Sequence, residues 1–347
     1  MIRTILRRAI SSPQAGLVLV IVLLGAILTV LAGTHIDQRT GVPVSNFLNS
    51  YTLIQTATDA SFFAIMAVGA TVVIVSGGID LSVGSIYALA GVSLAMVLRS
   101  AQPPDSLTTV LLALAVAAGI GLACGALNGA LVVGLGVHPF IITLGTMWIL
   151  RGIAFVASNA ESILVPIALT RVAKASLGFG DALYPVPMLV MLLVAVAGSV
   201  YLTRTVQGRH VFAVGGNAEA SRFSGVPIGW VKMWVYIMSG LSAGIAAFMG
   251  ASFYGSASCA DATGYELYVI ASAVVGGASL SGGKGSAISA LLGALLIVLI
   301  RQSIRTLHFD QNYEWIIIGC AIIIAVVLDQ TSARLTARRL AARSVRV

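Results

Sequence analysis

Ten apolar runs, separated by short polar stretches, occupy most of this 347-residue chain, near 13–33, 61–76, 83–98, 107–135, 138–157, 184–203, 229–253, 264–280, 285–304 and 311–329. A helix needs about 20 mostly apolar residues to cross a hydrocarbon layer about 30 Å thick. The runs therefore predict an all-α polytopic membrane protein of about ten transmembrane helices. Only 9% of the residues are charged and 58% are hydrophobic, with a mean hydropathy of +1.01, which leaves too few polar groups to cover a water-soluble domain. The chain reads as a single membrane domain over 1–347, with the second, third and eighth spans short and glycine-rich. Arg3, Arg7 and Arg8 precede a first run longer than the apolar segment of a cleaved leader, so it reads as a retained helix.

The net charge of +8 follows from orientation, with no need for a nucleic-acid partner. With both termini in the cytoplasm, the 204–228 loop, the 281–284 turn and the tail at 330–347 face inward. These and the adjoining span ends gather Arg204, Arg209, Arg222, Lys232, Lys284, Arg334, Arg338, Arg339, Arg343 and Arg346, as the positive-inside rule requires. The basic tail then lies against anionic membrane lipid. Cys124, Cys259 and Cys320, like the four histidines, are scattered at spacings that suit neither a disulfide framework nor a metal. No catalytic set, metal or cofactor is expected on this chain.

Glycine has two roles here. Gly121, Gly125 and Gly129 recur at four-residue steps on one span, and Gly240 and Gly244 on another, the pattern that lets helix backbones approach closely in lipid. Two other clusters interrupt helices. Ser76-Gly77-Gly78-Ile79-Asp80-Leu81-Ser82 and Gly276-Gly277-Ala278-Ser279-Leu280-Ser281 each carry Gly-Gly followed by Leu-Ser, and each follows a Val/Ala-rich run. They predict a parallel internal repeat with broken helices at corresponding positions, where a transport path or gate is expected. Ser76, Gly77, Gly78, Asp80, Ser82, Gly276, Gly277, Ser279 and Ser281 are its candidate residues. Asp80 either caps the broken turn or serves gating or ion coupling. Gly283-Lys284 does not complete a phosphate-binding loop, because Ala278 and Gly285 stand where Gly and Ser or Thr are needed.

The loop at 204–228 is organised for an external contact. Asn217 caps a predicted short helix over 218–224 with Glu219 in its first turn, and Gly225 and Pro227 end it. Gly215, Gly216, Asn217, Glu219, Ala220, Arg222, Ser224 and Gly225 are its candidate coupling residues. Arg151, within the fifth span, either snorkels or takes a partner such as Glu161 or the carbonyls at its helix end; Glu266 is a second structural charge.

These stretches, with His138-Pro139-Phe140-Ile141-Ile142-Thr143-Leu144-Gly145 through Arg151-Gly152, Gly264-Tyr265-Glu266-Leu267 and Val275 through Gly285, resemble the permease subunits of ribose-type sugar importers of the ATP-binding-cassette superfamily. The resemblance implies a second permease chain, two cytoplasmic ATPase modules that hold ATP and Mg, a periplasmic sugar-binding protein and a bacterial inner membrane. It also implies that the helix near 217–225 seats in the ATPase. His138 and Ser256 through Asp261 depart from the family's pattern. The competing reading is an ion-coupled secondary transporter of a small polar solute, which would use Asp80 but calls for more intramembrane carboxylates than Asp80 and Glu266.

Overall fold

The computed structural model describes residues 13–36, 41–100, 106–178, 183–321, 323–324 and 327; Arg3, Arg7, Arg8 and the 330–347 tail lie outside the described residues. In chain order the helices are α1 (Pro13–Leu31), α2 (Ser50–Val75), α3 (Val83–Arg99), α4 (Leu107–Leu135), α5 (Pro139–Ser158), α6 (Ile167–Ala173), α7 (Val186–Arg204), α8 (Val206–Gly216), α9 (Ala218–Phe223), α10 (Ile228–Tyr254), α11 (Tyr265–Val275) and α12 (Ala287–Thr306). A helical stretch at 313–321 follows. Two short antiparallel ladders pair β1 (Thr34–Ile36) with β2 (Pro43–Ser45) and β3 (Ile163–Leu164) with β4 (Ser256–Ala257). Among the described residues, seven helices are long and apolar enough to cross a membrane, and α3 and α11 are shorter apolar helices. The protein is an all-α polytopic membrane protein.

Two spans differ in length from their apolar runs. The second is not short: α2 starts at Ser50, where Asn49 Oδ1 accepts the Thr52 amide at 2.8 Å, and runs for 26 residues. Its first turns are polar and so escape a reading based on apolar runs. Gln55 there donates to Asp59 at 3.0 Å, and Asp59 pairs with Arg305 on α12 at 3.0 Å. The eighth contracts to the 11 residues of α11, a rise of about 16 Å, half of the hydrocarbon layer.

α2 is the axis of the bundle. Every residue from Ala60 to Val75 is buried, because α7, α8, α10, α11 and α12 surround it. α1 is the opposite case, with its apolar side chains turned outward and Leu28 anchored against Phe47 and Leu299.

The closest seam joins α4 to α10. A Cβ on Gly121 would overlap the Gly240 carbonyl, one on Gly125 the Tyr236 carbonyl, and one on Gly244 the Ala117 carbonyl. Backbone meets backbone along the whole stripe, which a methyl group on either side would separate. Gly119, on the same helix, has open space around its Cβ position. Gly125→Ala is therefore expected to destabilise the detergent-solubilised protein by about 1–3 kcal/mol, read as a lowered melting temperature, whereas Gly119→Ala leaves it unchanged. Equal effects at both positions would refute the seam.

Candidate functional site

The first helix break begins where α2 ends. Gly77, at φ 83°, donates to Ile74 O at 2.9 Å, and Gly78 donates to Val73 O at 3.0 Å, which satisfies the last carbonyls of the helix. The chain then turns around Asp80, which is buried. Asp80 Oδ1 accepts the Ser82 amide at 3.0 Å and the Ser82 hydroxyl at 2.6 Å, and Oδ2 accepts the Ser239 hydroxyl at 2.8 Å. Asn128 on α4 donates to Ser82 Oγ at 2.7 Å. The Ile79 carbonyl accepts from Thr143 on α5 and Tyr236 on α10, both at 3.3 Å. Asp80 thus bonds the turn ahead of α3 and none of the first amides of the helix. Ser239 lies three turns into α10, about 16 Å from its start, so this network sits well inside the bundle.

The second break repeats the same turn. Gly277, at φ 93°, donates to Val274 O at 2.8 Å, and Ala278 donates to Ala273 O at 2.9 Å. The conformational match therefore pairs Gly77 with Gly277, one residue away from the letter match of the two Gly-Gly pairs. Gly276 packs against the Ser289 carbonyl, where no Cβ would fit. The loop closes through Ser279 N to Lys284 O at 3.0 Å and the Ser279 and Ser281 hydroxyls 2.9 Å apart. Ser76, Ser82 and Ser279 are buried, and Ser76 donates to Val73 O at 2.7 Å; Gly77, Gly277 and Ser281 are exposed.

Both breaks meet the segment between α7 and α10. Thr205 caps α8 through the Gly208 amide at 2.9 Å, and Asn217 caps α9 through the Ala220 amide at 2.9 Å. α8 fills a stretch that sequence reasoning left without a helix, because its residues are only weakly apolar. Gly215, near its end, lies so close to the Val75 carbonyl that a Cβ would overlap it. Gly283 N donates to that same carbonyl at 2.8 Å, and Cβ atoms on Gly282 and Gly283 would lie 2.5 Å from Gly215 O and 2.9 Å from Gly216 Cα. Three main chains, the ends of α2 and α8 and the second break, touch with no side chain between them. Beyond this contact α9 stands free: Glu219, Ala220, Arg222 and Ser224 are exposed, Gly225 turns at φ 79°, and Phe223 is 84% exposed. Sequence reasoning missed Phe223, which lies one residue beyond Arg222 and carries no charge signal.

Arg151 binds neither Glu161 nor the end of its own helix. Its Nη1 donates to the carbonyls of Cys259 at 2.7 Å and Asp261 at 2.6 Å, and Nη2 to that of Ala262 at 3.3 Å. These carbonyls belong to the 255–264 loop, which leads into α11. Gly84 admits the loop, since a Cβ there would lie 2.6 Å from Ala262 O and 2.7 Å from Glu266 Oε2. Beside it lies a cavity of about 300 Å³ lined by Ser85, Met147, Trp148, Arg151, Phe155, Thr263, Gly264 and Glu266.

The family model described as the branched-chain amino acid transport system / permease component matches residues 52–326. The chain belongs to this permease family. It is similar to the ribose import permease protein of Escherichia coli (strain K12), with 36% identity over 285 residues, 82% of this chain and 87% of that one. The D-allose transport system permease protein of the same strain is 36% identical over 286 residues, 82% of this chain and 85% of the relative. The autoinducer 2 import system permease protein of Photorhabdus luminescens is 31% identical over 294 residues, 83% and 85%. In this permease the two breaks meet the end of α8, and the Arg151 loop packs against α3 at Gly84.

Arg151 makes its own test. Cys259 belongs to the loop that Arg151 holds, and its side chain is buried. In a Cys124→Ser, Cys320→Ser background, Arg151→Leu is expected to raise the rate of Cys259 labelling by a small maleimide about tenfold, because three loop carbonyls lose the guanidinium that holds them. An unchanged rate in a folded variant would mean that the loop holds without it.

Proposed function

We propose that this permease is the transmembrane subunit of an importer of the ATP-binding-cassette class that moves a monosaccharide or related polyol delivered by a periplasmic binding protein. A second permease chain, identical or related, completes the path, and separate cytoplasmic subunits bind ATP and Mg and hydrolyse it. The chain lies in the bacterial inner membrane with both termini in the cytoplasm, a reading supported by the inward gathering of Arg and Lys. The names of the relatives, ribose and D-allose permeases, support the solute class.

The observation that carries this reading is the bare-backbone contact of Gly215 with Val75 and Gly283. A structured outer element, α9, is joined through α8 to the inner ends of both broken helices, and glycine leaves no flexible side chain to absorb its displacement. Force applied at Glu219, Arg222 and Phe223 by an ATPase reaches both breaks together. The breaks act as the inner gate, with Gly77, Gly78, Gly276, Gly277 and Ser281 at the moving turns and Ser76, Asp80, Ser82 and Ser279 holding them in shape. An ion-coupled reading needs Asp80 free to take a cation, yet both of its carboxylate oxygens already accept hydrogen bonds.

Phe223→Ala is expected to cut ATP-dependent uptake in proteoliposomes of the assembled importer by about tenfold or more, as for an aromatic anchor at an interface. Glu219→Ala with Arg222→Ala is expected to weaken co-purification of the ATPase while the permease stays monodisperse in detergent. Full coupled uptake from both variants would reduce α9 to a connector.

A further inference from the structure

We propose that the cavity between α3, α5 and α11 binds one neutral monosaccharide ring during passage, with Ser85 and Glu266 bonding its hydroxyls and Trp148 covering its C–H face. The inference rests on the sugar-importer reading above and adds a site within the permease itself.

Ser85 supplies the first observation. Its side chain is buried, its hydroxyl has no hydrogen-bond partner, and it lines the cavity. Buried hydroxyls are normally paired, so one left unpaired at a cavity wall is a vacancy for a ligand group. A second observation comes from α11, which starts inside the bundle at Gly264 without a side-chain cap. Its first turn carries Glu266 into the same cavity as Ser85. The third is the composition of the walls. Arg151 and Glu266 bring opposite charges to one space, so neither an anion nor a cation is favoured, while the guanidinium is already committed to the loop carbonyls. What remains for a ligand is the Ser85 hydroxyl and the spare lone pairs of the Glu266 carboxylate, which already takes backbone amides of its own first turn, beside an indole that is 68% exposed. Hydroxyls around a ring with an apolar face match that set, because the carboxylate accepts from paired hydroxyls and the aromatic ring covers the C–H surface. About 300 Å³ is at the lower end for small-molecule sites, as a single sugar ring requires. The open side, at Trp148 and Phe155, is where a second permease chain would close the site.

The test uses the purified permease in nanodiscs, titrated with D-ribose and with D-allose. The Trp148 signal is the difference in tryptophan emission between the wild type and Trp148→Phe, and uptake is measured in parallel with the full importer. A saturable Trp148 signal is expected with at least one sugar, weakened at least about tenfold by Ser85→Ala and by Glu266→Gln. Ser85→Ala is also expected to match or exceed the wild type in melting temperature, since it removes an unpaired buried hydroxyl; a lost signal in an equally stable protein separates binding from folding. If the importer takes up sugar but the permease gives no Trp148 signal, or both variants keep it at full strength, the site is wrong and the importer reading stands. If the importer takes up neither sugar and the signal is absent, the importer reading falls with it.

Discussion

Hydrocarbon offers no partner to a peptide group, and each amide or carbonyl left open there costs several kcal/mol. Among the described residues, this permease interrupts its helices at 76–82, 255–264 and 276–286, and its polar side chains are distributed accordingly. Asp80 and the Schellman turn at Gly77 close the first break. Arg151 gathers three carbonyls of the second. The third is closed in part by the main chain of another helix, through Gly283 and Val75. The charged residues that look most like transport chemistry in the sequence hold the broken backbone together.

That arrangement leaves the broken helices closely packed. α2 is enclosed by five helices and moves only with them. Its Val75 end touches α8 and the 276–286 break through main-chain atoms, so the three elements form one joint. The hydrogen bonds around Asp80 tie the first break to α4 through Asn128 and to α10 through Ser239.

The sequence was readable where one-dimensional properties dominate. Long apolar runs marked α1, α4, α5, α7, α10 and α12 within a few residues, and the four-residue glycine steps marked the α4–α10 seam. Asn217 marked α9 because a cap is local chemistry. Less was legible where the decisive partner is a backbone atom far along the chain. The carbonyls that hold Arg151 lie 108 to 111 residues away and leave no trace in side-chain letters. The register of the repeated turn came out one residue off because φ at Gly77 and Gly277 defines it, whereas Gly-Gly occurs at both offsets. Ser85 is one serine among many until its surroundings show that its hydroxyl is unpaired.

The burial of α2 bears on how the chain is made. The helix is synthesised early, yet α10, α11 and α12, which help to enclose it, follow more than 150 residues later. Until residues 228–306 have followed, α2 has to reside in lipid as an ordinary span. Helices in a bilayer insert first and associate afterwards, so its apolar side chains serve two hosts in succession, lipid tails early and neighbouring helices later. Its polar first turns, with Asp59, wait for Arg305 on α12 to arrive, which places this ion pair late in biogenesis.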